Sequence, residues 1–133
     1  MDVGDYIGIP FLEHGRDRRG LDCWGLLRLI YLEQLDIVLP SYSERYESAE
    51  DGKKLRDLVL NVIGPEWETA ADPEPGDAAL FRIAGEPMHV GVVIGKGEMI
   101  HVMKGIDVTI ERFTGWQWKH RLAGFYRLKD KTK

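Results

Sequence analysis

The chain has 133 residues, 44% hydrophobic and 30% charged, which suits one soluble globular core and excludes a disordered or fibrous chain. Eighteen basic against 22 acidic residues leave a net charge of −4, which argues against a nucleic-acid binder. No apolar run approaches the ~20 residues of a membrane span, and a single cysteine, Cys23, excludes an internal disulfide.

Residues 1–5 carry two acids and no base, the reverse of a secretory signal, so no Sec address is expected. Residues 22–35 place apolar groups at 23, 26, 27, 30 and 31, which predicts a helix with Asp22 as N-cap. A shorter helix is expected over Ala49 to Val62, ended by Gly64-Pro65, within a stretch whose acids mark a solvated face. The period then changes. After the turn cluster 72–77, five β-rich runs are expected: Ala78 to Ile83, His89 to Ile94, Met99 to Met103, Val108 to Phe113 and Leu122 to Leu128. Ala84 to Pro87, Gly95 to Gly97 and Lys104-Gly105 read as their turns, and residues 129–133 as a frayed basic tail. Helices first and an antiparallel sheet second make an α+β layout in a single domain over residues 1–133.

A lone cysteine is more often an inert buried residue than a nucleophile. Cys23, however, follows the N-cap directly, so its sulfur lies in a first helical turn, where free N–H groups and the helix dipole favour thiolate. The adjacent Asp22 opposes that ionisation, so a base is expected nearby. Gly20 and Gly25 are expected to let backbone pass close and to leave space for a substrate. Of the four histidines (14, 89, 101 and 120), two flank the Gly95 to Gly97 turn. A three-residue loop there pairs Ile94 with Glu98 and sets His101 opposite Gly91, putting His89 and His101 on one face about 7 Å apart or less. A two-residue loop puts them on opposite faces. Thiol, imidazole and an orienting third group suffice for acyl transfer, and Cys23, His89 and His101 can fill those roles in that order. Zinc is the competing reading of the same trio, but no His-x-x-x-His pair supports it. No metal or cofactor is expected.

Four ordered motifs then carry a resemblance: Gly20 to Leu26 (Gly-Leu-Asp-Cys-Trp-Gly-Leu), Pro75 to Phe81, His89 to Gly95, and Met99-Ile100-His101. Together they resemble the NlpC-type papain-like cell-wall peptidases over about residues 6–127. The resemblance implies N-terminal helices on a mainly antiparallel sheet of five to six strands. It implies a thiol hydrolase of the peptidoglycan stem peptide, often cutting after D-γ-glutamate, with Cys23 as nucleophile, His89 as base and His101 as third residue. It also points to a substrate-binding surface of Asp22, Trp24 and Phe11, with Asp22 associated in relatives with a free amine, to which the register reading adds Gly91 as room beside the imidazoles. Two positions depart from the family pattern. Phe11 stands where an oxyanion-binding Tyr is usual, leaving Tyr6, His14 or the Cys23 N–H as substitutes, and Trp24 replaces a small Ser.

The Asp-Cys-Trp-Gly-Leu variant, with Arg28 to Tyr31 and Leu39 to Tyr42, looks most like small peptidases of phage tail assembly genes. That resemblance implies tail-tip partners and a virion location, while the length leaves no room for a wall-binding module and the charge and short apolar runs point to no nucleic-acid partner and no membrane insertion. The alternative is a tail-tip assembly or plug protein with weak or no hydrolysis, motivated by Phe11 and Trp24. A lipid acyltransferase would need an apolar groove that the sequence lacks. The aromatics Trp116, Trp118, Phe125 and Tyr126 read as packing of the last strands, and Trp67 as a locally packed loop residue.

Overall fold

The computed structural model describes residues 1–40, 66–83 and 86–129. The expected helix over residues 49–62 lies outside the described residues. A short 3-10 turn, Gly4–Tyr6, leads into a small hairpin of β1 (Arg16–Asp17) and β2 (Gly20–Leu21), and then into α1 (Cys23–Leu35). Six further strands follow: β3 (Trp67–Thr69), β4 (Ala78–Ile83), β5 (Glu86–Gly95), β6 (Glu98–Met103), β7 (Ile106–Arg112) and β8 (Leu122–Leu128). They form one antiparallel sheet in the order β3-β8-β4-β5-β6-β7. The α+β class therefore holds. Among the described residues no helix is long and apolar enough to cross a membrane.

α1 runs as its sequence dictates. The Asp22 carboxylate accepts from the Gly25 N–H, satisfying one of the free donors of the first turn. At the other end Asp36 adopts φ 57°, and the Ile37 N–H returns to the Tyr31 carbonyl. That is a left-handed C-terminal closure which Asp tolerates better than most residues. The helix buries Leu26, Leu27 and Ile30 against Val90 and Val92 of β5 and Ile100 and Val102 of β6. A second, smaller cluster of Phe81, Val93, Met99, Phe113 and Trp118 covers the other face of the sheet. Between β4 and β8, Asp77 is fully buried and receives two hydrogen bonds from Arg127, at 2.9 and 2.8 Å.

Several expectations change in the strands. Glu86 and Pro87, assigned to a turn, open β5 and pair with Ile83 and Arg82. Trp67, assigned to a loop, is a buried residue of an extra edge strand paired with β8. Trp116 is 74% exposed, whereas Trp118 is buried. The β5–β6 turn consists of Lys96 and Gly97 alone, closed by Gly95 opposite Glu98, so Ile94 does not pair with Glu98. That shorter loop by itself would send the two histidines to opposite faces. A bulge at Ile94 shifts the register back, giving Val93 opposite Met99 and Val92 opposite Ile100. The β6–β7 hairpin repeats the device. Met103 faces Ile106, and past an irregularity His101 faces Thr109 and Met99 faces Glu111. Residues 89, 91 and 93, then 99 and 101, then 109 and 111 thus alternate onto the face covered by Trp118.

Candidate active site

Cys23 is the first residue of α1 and 5% exposed. The backbone N–H groups of Val90 and Trp24 are directed at its sulfur, which sets the thiol beside the residue that follows His89. The β5–β6 register runs from the turn to Val92 and Ile100, and Gly91 next to it lies close to His101. The His89 Nε2 lies 2.8 Å from the His101 Nδ1. The His101 Nε2 in turn lies 2.7 Å from the Glu111 Oε2. Glu111 Oε1 accepts from the Trp118 indole N–H at 3.2 Å, and the Trp118 ring stacks on His89 at 5.4 Å and stands edge-on to His101. Phe81, the strand neighbour of His89, packs against both His89 and Trp118. The two imidazoles, predicted to share a face, are thus brought into direct contact.

The electrostatics are those of a dry site. Burial first, and the Asp22 charge second, push the Cys23 thiol up to about 12, outweighing the backbone N–H groups and Arg16, which pull it down. The expectation that the helix end favours thiolate is therefore corrected: a thiol 5% exposed loses more hydration than one helical turn returns. Burial, and then the proximity of His101, push His89 well below the ordinary imidazole value. Burial also lowers His101, opposed by the hydrogen bond and charge of Glu111. Burial thus disfavours the charged forms of the thiol and of both imidazoles. The facing nitrogens of His89 and His101 bond to each other rather than converging on an ion, and among the described residues no cluster of three metal-ligating side chains occurs.

The remaining expected site residues are less open than anticipated. Asp22 is fully buried, and its carboxylate already accepts from Arg16 Nη1 at 2.7 Å, the His14 N–H at 3.2 Å and the Gly25 N–H at 2.8 Å. Trp24, expected beside the substrate, is 1% exposed and donates its indole N–H to the Pro40 carbonyl, so its ring serves the core. Phe11 is partly buried against the same core and bridges to Leu21, with no polar hydrogen to offer an oxyanion. The Tyr6 hydroxyl donates to Glu33, ten residues or roughly 15 Å along the helix from Cys23, which removes it as a substitute donor. Gly91 gives no open space, because a Cβ there would meet Met99 Sδ at 2.8 Å and His101 Cβ at 3.4 Å. Gly25 likewise serves close approach, since a Cβ would lie 2.0 Å from the Gly15 carbonyl oxygen. Glu111 was not foreseen. A plain count through the two-residue Lys104-Gly105 turn places it on the helix face, and the bulge moves it to the histidine face.

With this geometry in place, the comparisons with known proteins are decisive. The model of the NlpC/P60 family matches residues 8–127. The chain belongs to the NlpC/P60 family. Among relatives, the Escherichia coli murein DD-endopeptidase MepS/murein LD-carboxypeptidase is 28% identical over 117 residues, 88% of this chain and 54% of that protein. The Bacillus subtilis gamma-DL-glutamyl hydrolase is 27% identical over 135 residues, 99% of this chain and 29% of that protein. The chain thus spans about half the length of the first of these and less than a third of the second. The NlpC/p60 domain of the peptidoglycan hydrolase SagA shares the fold, with a TM-score of 0.62 at 23% identity over 92% of this chain and 88% of that one. An NlpC/P60 family protein from Bacillus cereus gives a TM-score of 0.66 at 24% identity, over 92% of this chain and 36% of that one.

Proposed function

We propose that residues 1–133 act as one cysteine peptidase unit that cuts a bond in the peptidoglycan stem peptide. The observation that carries this reading is an imidazole pair in 2.8 Å contact, with the Cys23 sulfur, on the first turn of α1, facing the backbone N–H of Val90, the residue after His89. Cys23 Sγ attacks the acyl carbon while His89 takes the thiol proton, and the tetrahedral oxyanion is held by the Cys23 backbone N–H. His89 then protonates the leaving amine, a thioester remains, and a water activated by the same imidazole hydrolyses it. His101 orients His89. The relatives' names specify different bonds, so the bond cut here is measured directly: mass spectrometry of purified sacculi after digestion names it, and Cys23→Ala should lower fragment release about 10⁴-fold or more. Release at the wild-type rate by that variant would sink the assignment.

Delivery by a phage tail tip, with tail proteins as partners, is the finer part of the proposal and rests on the Asp-Cys-Trp-Gly-Leu variant. Proteomics of purified virions tests it. A second reading, an assembly or plug protein with little hydrolysis, draws on the buried, hard-to-ionise thiol and on Phe11. It predicts intact sacculi alongside a folded, tail-bound chain.

A further inference from the structure

We propose that Glu111 is a positioning residue that sets the tautomers of both imidazoles, an inference that rests on the reading of Cys23 and His89 as nucleophile and base. A carboxylate only accepts hydrogen bonds, so the 2.7 Å contact with Glu111 Oε2 places a proton on His101 Nε2. In a neutral His101 the other nitrogen, Nδ1, is then an acceptor. Its 2.8 Å partner, His89 Nε2, must carry the proton, which leaves the lone pair of His89 on Nδ1, free for the thiol. One carboxylate at the far end of this hydrogen-bonded row thus fixes, through His101, which nitrogen of His89 is basic.

The carboxylate is itself fixed. The Trp118 indole N–H holds its second oxygen, and the Trp118 ring contacts both imidazoles, so a single aromatic side chain aligns the whole row. Glu111 reaches His101 only because the β6–β7 irregularity brings residues 109 and 111 onto the histidine face. The titratable or charged groups around the pair are His89 from β5 and, from the loop before β8, His120 and Arg121, which share with Glu111 a cavity of about 340 Å³. When His89 takes the thiol proton, the Glu111 charge stabilises the cation through His101. The depressed imidazole values are consistent with this, because the Glu111 contribution opposes the burial that lowers His101.

Two variants test the inference in the intact chain. Glu111→Leu removes the acceptor and should lower kcat about 10- to 100-fold with KM little changed, the range seen when an orienting partner is lost. Glu111→Gln keeps an acceptor but not the charge. It should retain more of kcat while moving the acidic limb of the kcat/KM profile down by about one pH unit, since the protonated imidazole pair loses its counter-charge. Nitrogen-15 NMR of the histidine rings gives a readout independent of activity. In the wild type both rings should be Nε2-protonated, and in Glu111→Leu that preference should disappear. An unmoved acidic limb in Glu111→Gln, or unaltered tautomers in Glu111→Leu, overturns the positioning role even if sacculi are cleaved. If the wild type cleaves nothing yet shows these tautomers, the positioning stands and the hydrolase reading fails.

Discussion

The two halves of the active site are built on different length scales. The cysteine half is local: Asp22 caps the helix that carries Cys23, and the groups that hold Asp22, from His14 to Gly25, lie within eight residues of it. The imidazole half joins His89, His101 and Glu111 from three strands, and its geometry depends on an irregularity in each of two hairpins. A local site tolerates no change in backbone approach, because main chain packs on main chain. A site built by register tolerates small side-chain shifts but not a change in which face a strand presents.

Gly25→Ala should break the local half hardest. The added Cβ would lie 2.0 Å from a backbone oxygen, which cannot rotate away, and the loss should be about 3 kcal/mol of stability with the helix N-terminus displaced. Thermal or urea unfolding measures it, and a change under 1 kcal/mol would show that the hairpin moves freely.

Acidity sharpens the contrast, because each half should limit stability at its own edge of the pH range. A buried His89 held neutral binds no proton as the pH falls through about 6.5, whereas the unfolded imidazole does. Stability should therefore fall on acidification, by up to about 1.4 kcal/mol per pH unit. Cys23 acts in the opposite sense. Its folded value is raised to about 12 from 9.0, so the unfolded thiol ionises first and stability should fall as the pH rises above about 9. Melting temperatures across pH 5 to 11 should trace a plateau between these edges. His89→Gln should reduce the slope of the acid side, leaving the share of His101, and Cys23→Ala should remove the loss that begins near pH 9, leaving the later loss from the raised Tyr6 and Tyr31 hydroxyls.

Gly91→Ala should be the mildest of the three. The neighbouring atom is a Met99 sulfur that can shift, so about 1 kcal/mol is expected from a chemical melt. Its informative readout is kcat, which should fall if the His101 strand is pushed away from His89.

Much of this was legible before the structure. The helix over 22–35, its Asp22 cap and four of the five expected strands fall within two residues of their observed bounds, because apolar period and turn residues are local signals. β5 is the exception, opening at Glu86 where a turn was expected. The pairing of His89 with His101 was anticipated through a wrong loop length, and the Ile94 bulge supplied the missing register step. Glu111 was hidden for the same reason. Trp24 and Gly91 were read as site surface, but burial decides whether a residue near a nucleophile faces substrate or core, and burial depends on what packs from afar.

By itself the sequence determined the capped helix, the position of the sulfur on its first turn and the two histidine-bearing strands. Each of these follows from interactions between residues close along the chain. Only the tertiary structure decided that His89, His101 and Glu111 form one hydrogen-bonded row and that burial opposes ionisation of the Cys23 thiol. Strand register and desolvation are set by the whole packed sheet, and a one-residue bulge, invisible in composition, reverses the face on which a side chain appears.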